Sequence, residues 1–399
     1  MKKQKIKKFP FSKKVMTGLF AAAMGLSIWT PASHAETPEK NGYYSIHLAA
    51  NTALKWNVDS ASTDNERLIR LWKEGLADNE QFAFFPLDGG LYAIVNKNSG
   101  KPVVADGGRG YVYNGQGSLP NDQALRQMSW NGADNQKWYL RDKGNNKYEI
   151  VNQGNQKVAS YAWEGTAIQN IEYVDLDNSN PSDNDRLFNI SAARSTFTVP
   201  TLPATGARPN APAYDPNGPI DQQLSQTSNS VIVGSALIPC IMVKDSSADD
   251  YTKIHNSPYY VLQKEEYWEK TRSATISPGG TDKYFVKNGV STVDQQRMTD
   301  TLAMNFGADL GLKTDNLSAS IKYSISKTLQ TEVTKTTTNA SEESEEKTIP
   351  SAYGKETGYT VYQLVTKYTL KRTDGTTVSD PWSVRDKNQI VVRSIPNQP

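Results

Sequence analysis

The chain has 399 residues, with 44 lysines and arginines against 42 aspartates and glutamates and only 22% charged residues. That balance argues against a nucleic-acid binder, which needs a basic face. One cysteine excludes an internal disulfide and a Cys-based zinc cluster, and three histidines leave little for a His-driven site. With 20 Pro, 27 Gly, 20 Tyr and 8 Trp, the composition predicts a β- and loop-rich chain of two or three domains.

Residues 1–35 have the pattern of a secretion signal peptide. Seven lysines and no acid occupy residues 1–14, an apolar run extends from Val15 to Trp29, and Ser33-His34-Ala35 supplies a small-x-Ala cleavage site. The apolar run is shorter than the ~20 residues that span a bilayer. Cleavage would take the formal charge from +2 to −5, the seven lysines being lost, and would leave His47 and His255 as the histidines. The expectation is a secreted protein, mildly acidic and poor in catalytic side chains.

Residues 36–193 read as a threefold repeat. Segments opening at Tyr44-Ser45-Ile46, Leu91-Tyr92-Ala93-Ile94-Val95 and Lys147-Tyr148-Glu149-Ile150-Val151 close on Gln81-Phe82, Lys137-Trp138 and Leu187-Phe188. A period near 50 residues made of short alternating strands predicts one β unit used three times around a shared centre. Residues 194–223 form a proline-rich linker, with six prolines between Val199 and Pro219, expected to be an extended spacer. Leu202-Pro203-Ala204-Thr205-Gly206 has the form of a sortase signal, but no hydrophobic segment and basic tail follow it, so the linker reading is preferred.

Gln136-Lys137-Trp138 is a full QxW phrase, with Glu80-Gln81-Phe82 and Arg186-Leu187-Phe188 as degenerate versions, and Ile94-Val95-Asn96…Ser99-Gly100-Lys101 is a matching strand and turn. In these motifs the block resembles the ricin B-type lectin domain, a β-trefoil. The resemblance implies sugar contacts from an acid after the opening strand, a stacking aromatic, and an Asn or Gln before the closing aromatic. A flat ring covers the apolar face of a sugar while amides and carboxylates bind its hydroxyls. The candidates are Trp72 and Asn79 in repeat one; Trp130, Asn135 and Gln136 with Asp106 in repeat two; and Tyr173 and Asn184 in repeat three. Where the family places its acid, this chain offers Lys55 or Asn57, then Val104, then Ala159.

The block 224–399 opens on the β-branched run Val231–Ile238, followed by Cys240 in an apolar setting, expected to be an inert core thiol. Residues 301–326 alternate with period two. Leu302, Met304, Phe306, Leu310 and Leu312 share one face; after a polar turn, Leu317, Ile321, Tyr323 and Ile325 share the face of the return arm. Both arms have the ~9–11 residues of a transmembrane β-strand, although any half-buried hairpin alternates in this way. The acidic run Glu342, Glu343, Glu345 and Glu346 is expected to be an exposed loop.

This Ser/Thr-rich amphipathic hairpin resembles that of the aerolysin-like β-pore-forming toxins, of epsilon-toxin and mosquitocidal-toxin type. The layout as a whole is similar to Bacillus insecticidal proteins of the binary-toxin type. The resemblance implies an all-β protein with an N-terminal β-trefoil lectin followed by an elongated antiparallel pore-forming domain. It implies a secreted toxin that binds host-cell glycans, oligomerises on the target membrane and inserts residues 301–326 into a barrel, with a second toxin component as a further partner. No cofactor, metal, nucleic acid or catalytic activity is expected. The rival readings are a secreted lectin or adhesin without membrane activity, and a glycoside hydrolase, which would need two carboxylates at defined separation. The adjacent pairs Glu265-Glu266 and Asp249-Asp250 do not have that arrangement.

Overall fold

The structure is a computed structural model that describes residues 38–73, 75–87, 90–105, 111–112, 118–119, 123–165, 170–302, 343–351 and 354–395. The predicted secretion signal lies outside the described residues, and so does the proposed hairpin from Met304 to Ile325.

Residues 42–196 fold as a β-trefoil whose threefold symmetry is visible in its hydrogen bonds. Each repeat ends on a single 3-10 turn, at Asp78–Glu80, Asp134–Gln136 and Asn184–Arg186, directly before the closing aromatic of the sequence repeat. Each closing strand then pairs antiparallel with an opening strand of the next repeat. Phe82 lies opposite Asn96, Trp138 opposite Asn152, and Phe188 opposite Leu48, so that repeat three closes onto repeat one. The amides of Lys97, Gln153 and Ala49 donate to the carbonyls of Gln81, Lys137 and Leu187 at 2.9, 2.9 and 2.8 Å, one bond made three times. Asn96 and Asn152 each donate a side-chain N–H to the turn they face; repeat one has Leu48 in that place.

Phe82, Trp138 and Phe188 are fully buried in one cluster with Trp56, whose ring meets Phe82 and Phe188 edge-on at 6.0 and 5.5 Å. Burying an aromatic of this size contributes roughly 2–3 kcal/mol. None of the three could be covered within its own repeat, and that is the reason the fold needs all of them.

The carboxy-terminal block is a six-stranded antiparallel sheet. Its spatial order is Val231–Pro239, Tyr259–Ile276, Thr357–Lys371, Trp382–Ile395, Thr281–Val290, Glu343–Pro350. The acidic run expected as a loop therefore includes an edge strand, in which two consecutive glutamates find cations on neighbouring strands: Glu345 pairs with Lys387 and Glu346 with Lys283, both at 2.8 Å. Among the described residues two helices interrupt the strands. Asp250–Asn256 is capped by the Asp249 carboxylate accepting from the Thr252 amide, and Thr292–Thr301 by the Ser291 hydroxyl accepting from Asp294.

The second helix moves one expected boundary. Thr301 is its last residue, and Leu302 is 1% exposed, bridged to Val243 and packed in the core with Met298 and Ile254. A lipid-facing Leu302 would first have to leave that core.

Two features join the blocks. The proline-rich segment is extended but not a free spacer. Arg208 holds Glu266 through two hydrogen bonds of 2.6 and 3.2 Å, the Trp268 indole N–H donates to the Pro209 carbonyl, and Gly206 N–H donates to Ile232. In addition, the outer face of the trefoil hairpin Phe82–Asn96 shares a core with the block below it. Ala83, Phe85, Ala93 and Val95 pack in one cluster with Cys240, Ile254, Tyr259 and Val290. Burial pushes the Cys240 thiol up to about 12, so it is a packing group at neutral pH.

Candidate functional site

Repeat one carries a cleft of about 270 Å³ lined by Asn57, Asp59, Ser60, Ala61, Arg70, Trp72 and Asn79. Strand Leu54–Val58 delivers Asn57 and then breaks into a 3-10 turn, Asp59–Ala61, where Ser60 and Ala61 take positive φ and aim the chain away. The break leaves Asp59 at the cleft wall. Its Oδ1 accepts from Arg70 Nη1 at 3.3 Å. Arg70 lies two residues before Trp72 on strand Arg67–Lys73, with its guanidinium 4.9 Å from the Trp72 ring centre. The indole stays 49% exposed, the one large apolar ring on the rim of the cleft.

The amides are held from behind. Asn79 donates to the Val58 carbonyl at 3.0 Å, and Asn57 donates to Glu80 at 3.2 Å. Lys55 is ion-paired with Glu80 at 2.8 Å and bonded to the Gly75 carbonyl, so this buried lysine braces the turn. The result is an exposed ring, a carboxylate, a guanidinium and two amides around one concavity. Such a set can stack on the C–H face of a pyranose and bind its hydroxyls.

The register shows how the other repeats differ. Lys55, bridged to His47, opposes Trp72 in the hairpin of repeat one; the corresponding residues are Pro102 in repeat two, bridged to Val95 and accepting from the Met128 amide, and Val158 in repeat three, bridged to Val151 and opposite Asp177. The place of Trp72 is thus taken by the half-buried Met128 and by Asp177. Trp130 lies two residues beyond the equivalent position and packs partly against the core shared with the carboxy-terminal block. Gln136 is fully buried, accepting from the Asn131 amide and donating to Ser129, which shapes the turn that carries Trp130. Asn135 does occupy the place of Asn79, and its buried Oδ1 has no partner among the described residues.

In repeat three Tyr173 is 2% exposed and packs with Leu68 and Ile171, so it presents no ring to solvent. Counting back from Phe188 puts Asp185, not Asn184, at the place of Asn79; Asn184 accepts instead from Lys147 at 2.9 Å. Asp106 lies outside the described residues. The structure therefore brings Trp72 and Asn79 together and adds Asp59, Asn57 and Arg70. Of these, Asp59 was missed because the acid was sought at Lys55 or Asn57, short of the turn.

In the carboxy-terminal block the acids singled out in sequence are committed to cations or to a helix cap. Glu266 is buried against Arg208 and Lys264, Glu265 pairs with Lys367 at 2.6 Å, and Asp249 caps a helix. Asp245 is fully buried. Burial alone would raise its carboxyl, but two hydrogen bonds from Arg372, with others from Ser247 and Tyr260, hold it well below the usual range. No helix among the described residues is long and apolar enough to cross a membrane.

Comparison with known proteins supports both halves. Residues 231–393 match the family described as Insecticidal Crystal Toxin, P42, and residues 28–115 match the Ricin-type beta-trefoil lectin domain-like family. The chain is similar to the binary larvicide subunit BinA of Lysinibacillus sphaericus, 27% identical over 331 residues that cover 80% of this chain and 82% of that protein. The subunit BinB of the same organism is 32% identical over 204 residues, covering 50% of this chain and 44% of BinB. Among solved structures, that of Cry35Ab1 superposes with a TM-score of 0.72 over 90% of this chain and 91% of its own, at 22% identity, and so shares the fold. The chain thus joins a β-trefoil to a mainly β block that matches the P42 family.

Proposed function

We propose that this protein is a secreted component of an insecticidal binary toxin, which attaches to host-cell glycans through the repeat-one cleft. The observation that carries the reading is the convergence of Asp59, Trp72 and Asn79 in one concavity of the trefoil, on a chain whose other half matches the P42 toxin family. Attachment through a single good pocket is weak, so several copies gathered on a membrane would add avidity. The carboxy-terminal block then supplies the membrane step: molecules oligomerise, and the alternating segment within residues 301–326 inserts as a closed barrel, the one β arrangement that satisfies every backbone group in lipid. A second toxin component, as in the subunit-named relatives, would act with it.

The test couples attachment to leakage. Full-length protein should bind a glycan array and release dye from glycolipid-bearing liposomes, with or without trypsin and a partner subunit. Asp59→Ala should lower glycan affinity by about 10–100-fold, since a charge-assisted hydrogen bond is worth roughly 1.5–3 kcal/mol. Glycan binding with no release under any of these conditions would leave a secreted lectin.

A further inference from the structure

We propose that the cleft between the trefoil and the carboxy-terminal block is a second carbohydrate site, built from both halves and taking a neutral hexose or N-acetylhexosamine. The cleft has a volume of about 370 Å³, within the ordinary range for small-ligand sites and larger than the repeat-one cleft. The trefoil contributes Ser129 and Trp130; the other half contributes Lys244, Asp245, Asp250 and Asp300. An indole beside hydroxyl and carboxylate groups is the chemistry of the repeat-one cleft, assembled here from two modules rather than one repeat.

The site is held in shape from both sides. Gly100, at φ +67°, comes so near the Asp250 carbonyl that an added Cβ would stand 2.2 Å from that oxygen. Asp245 is locked by Arg372 and Tyr260, and Asp250 is ion-paired with Lys253 at 2.9 Å and lies 3.5 Å from Lys101. These two form a rigid polar wall. Among the described residues the exposed Asp300 carboxylate accepts one hydrogen bond, from Gln296 at 2.8 Å, and the Trp130 indole N–H makes none. Asp300 and Trp130 are the groups placed to meet a ligand. With Asp245 paired to Arg372, Asp250 to Lys253 and Lys244 also in the lining, the charges around the cleft largely cancel, which suits a neutral sugar. A ligand held here touches both halves at once, so its binding also ties trefoil to sheet.

The experiment uses the full chain carrying Trp72→Ala, which silences the repeat-one cleft. D-galactose, N-acetyl-D-galactosamine, D-glucose, N-acetyl-D-glucosamine and D-mannose are titrated singly by saturation-transfer NMR, with thermal midpoints recorded alongside. The expected result is that at least one sugar still binds and raises the midpoint. Adding Asp300→Ala or Trp130→Ala should then weaken it by about tenfold. Asp300→Ala, on the surface, keeps the test valid if the tryptophan variant misfolds. Binding by wild type that vanishes in Trp72→Ala overturns the cleft and leaves the repeat-one reading standing. Binding in neither overturns both, and binding indifferent to Asp300→Ala overturns the cleft alone.

Discussion

Two hairpins of the trefoil, Phe82–Asn96 and Trp138–Asn152, have the same register and opposite surfaces. In the first, Ala83 lies opposite Val95 and Phe85 opposite Ala93; in the second, Tyr139 lies opposite Val151 and Arg141 opposite Glu149. Their inward residues, Phe82, Phe84 and Ile94 against Trp138, Leu140 and Ile150, join the same central core. Outward, the first is apolar and buried against the carboxy-terminal sheet, with the Phe85 ring edge-on to Tyr259 at 5.2 Å. The second instead carries an ion cluster, Arg141 and Lys143 on Glu149 at 2.9 and 3.0 Å. A threefold scaffold thus offers three equivalent faces, and alternate residues of one hairpin decide which of them docks.

The strongest way to break this difference is to make the docking hairpin resemble its polar copy. Phe85→Arg would bury an unpaired charge at a fully enclosed position and should cost about 3–5 kcal/mol. Calorimetry should resolve two transitions, and a single unshifted one would contradict the shared core. Glu149→Gln probes the other hairpin. Burial raises its carboxyl, but bonds from Ser179, Lys143 and Arg141 outweigh that and depress it. A depressed carboxylate adds stability above its ordinary range that is lost as pH falls through the folded value. Wild type should weaken as pH drops below about 4.5, whereas the variant should be flatter there and weaker by about 1–2 kcal/mol at neutral pH; urea melts at several pH values read both.

A smaller effect sharpens the docked side. The Tyr43 hydroxyl donates to the Ile254 carbonyl at 2.7 Å across the junction, and Tyr43→Phe should cost about 1 kcal/mol in the same melts. Smallest of all, Asn184→Ala should leave glycan affinity unchanged, because register gives the pocket position of repeat three to Asp185. A measurable loss on a glycan array would mean that repeat three binds after all.

The threefold core was legible because its signal is periodic: Phe82, Trp138 and Phe188 recur at nearly equal spacing and must share one centre. The site was legible only in part. Trp72 and Asn79 could be found by type and distance from the closing aromatic, but Asp59 depends on where a strand breaks, and Ser60 and Ala61 give no sequence warning of their positive φ. Trp130 and Tyr173 have the right chemistry, but packing, which is non-local, turns one toward the junction and the other inward. The proline-rich stretch declared its extended backbone through residue type alone; that it lies along a sheet depends on Glu266 and Trp268, some sixty residues away in sequence.

The hydrogen bond from Gly206 to Ile232 has a consequence for association. An open sheet leaves an unpaired backbone row at each border, and such rows recruit foreign strands. Here the border at Val231–Pro239 is partly occupied by the chain's own proline-rich segment. Among the described residues the opposite border, Glu343–Pro350, is studded with charge. Strand addition by a neighbour would therefore have a preferred side, and there the neighbour's lysines or glutamates would decide whether it is admitted.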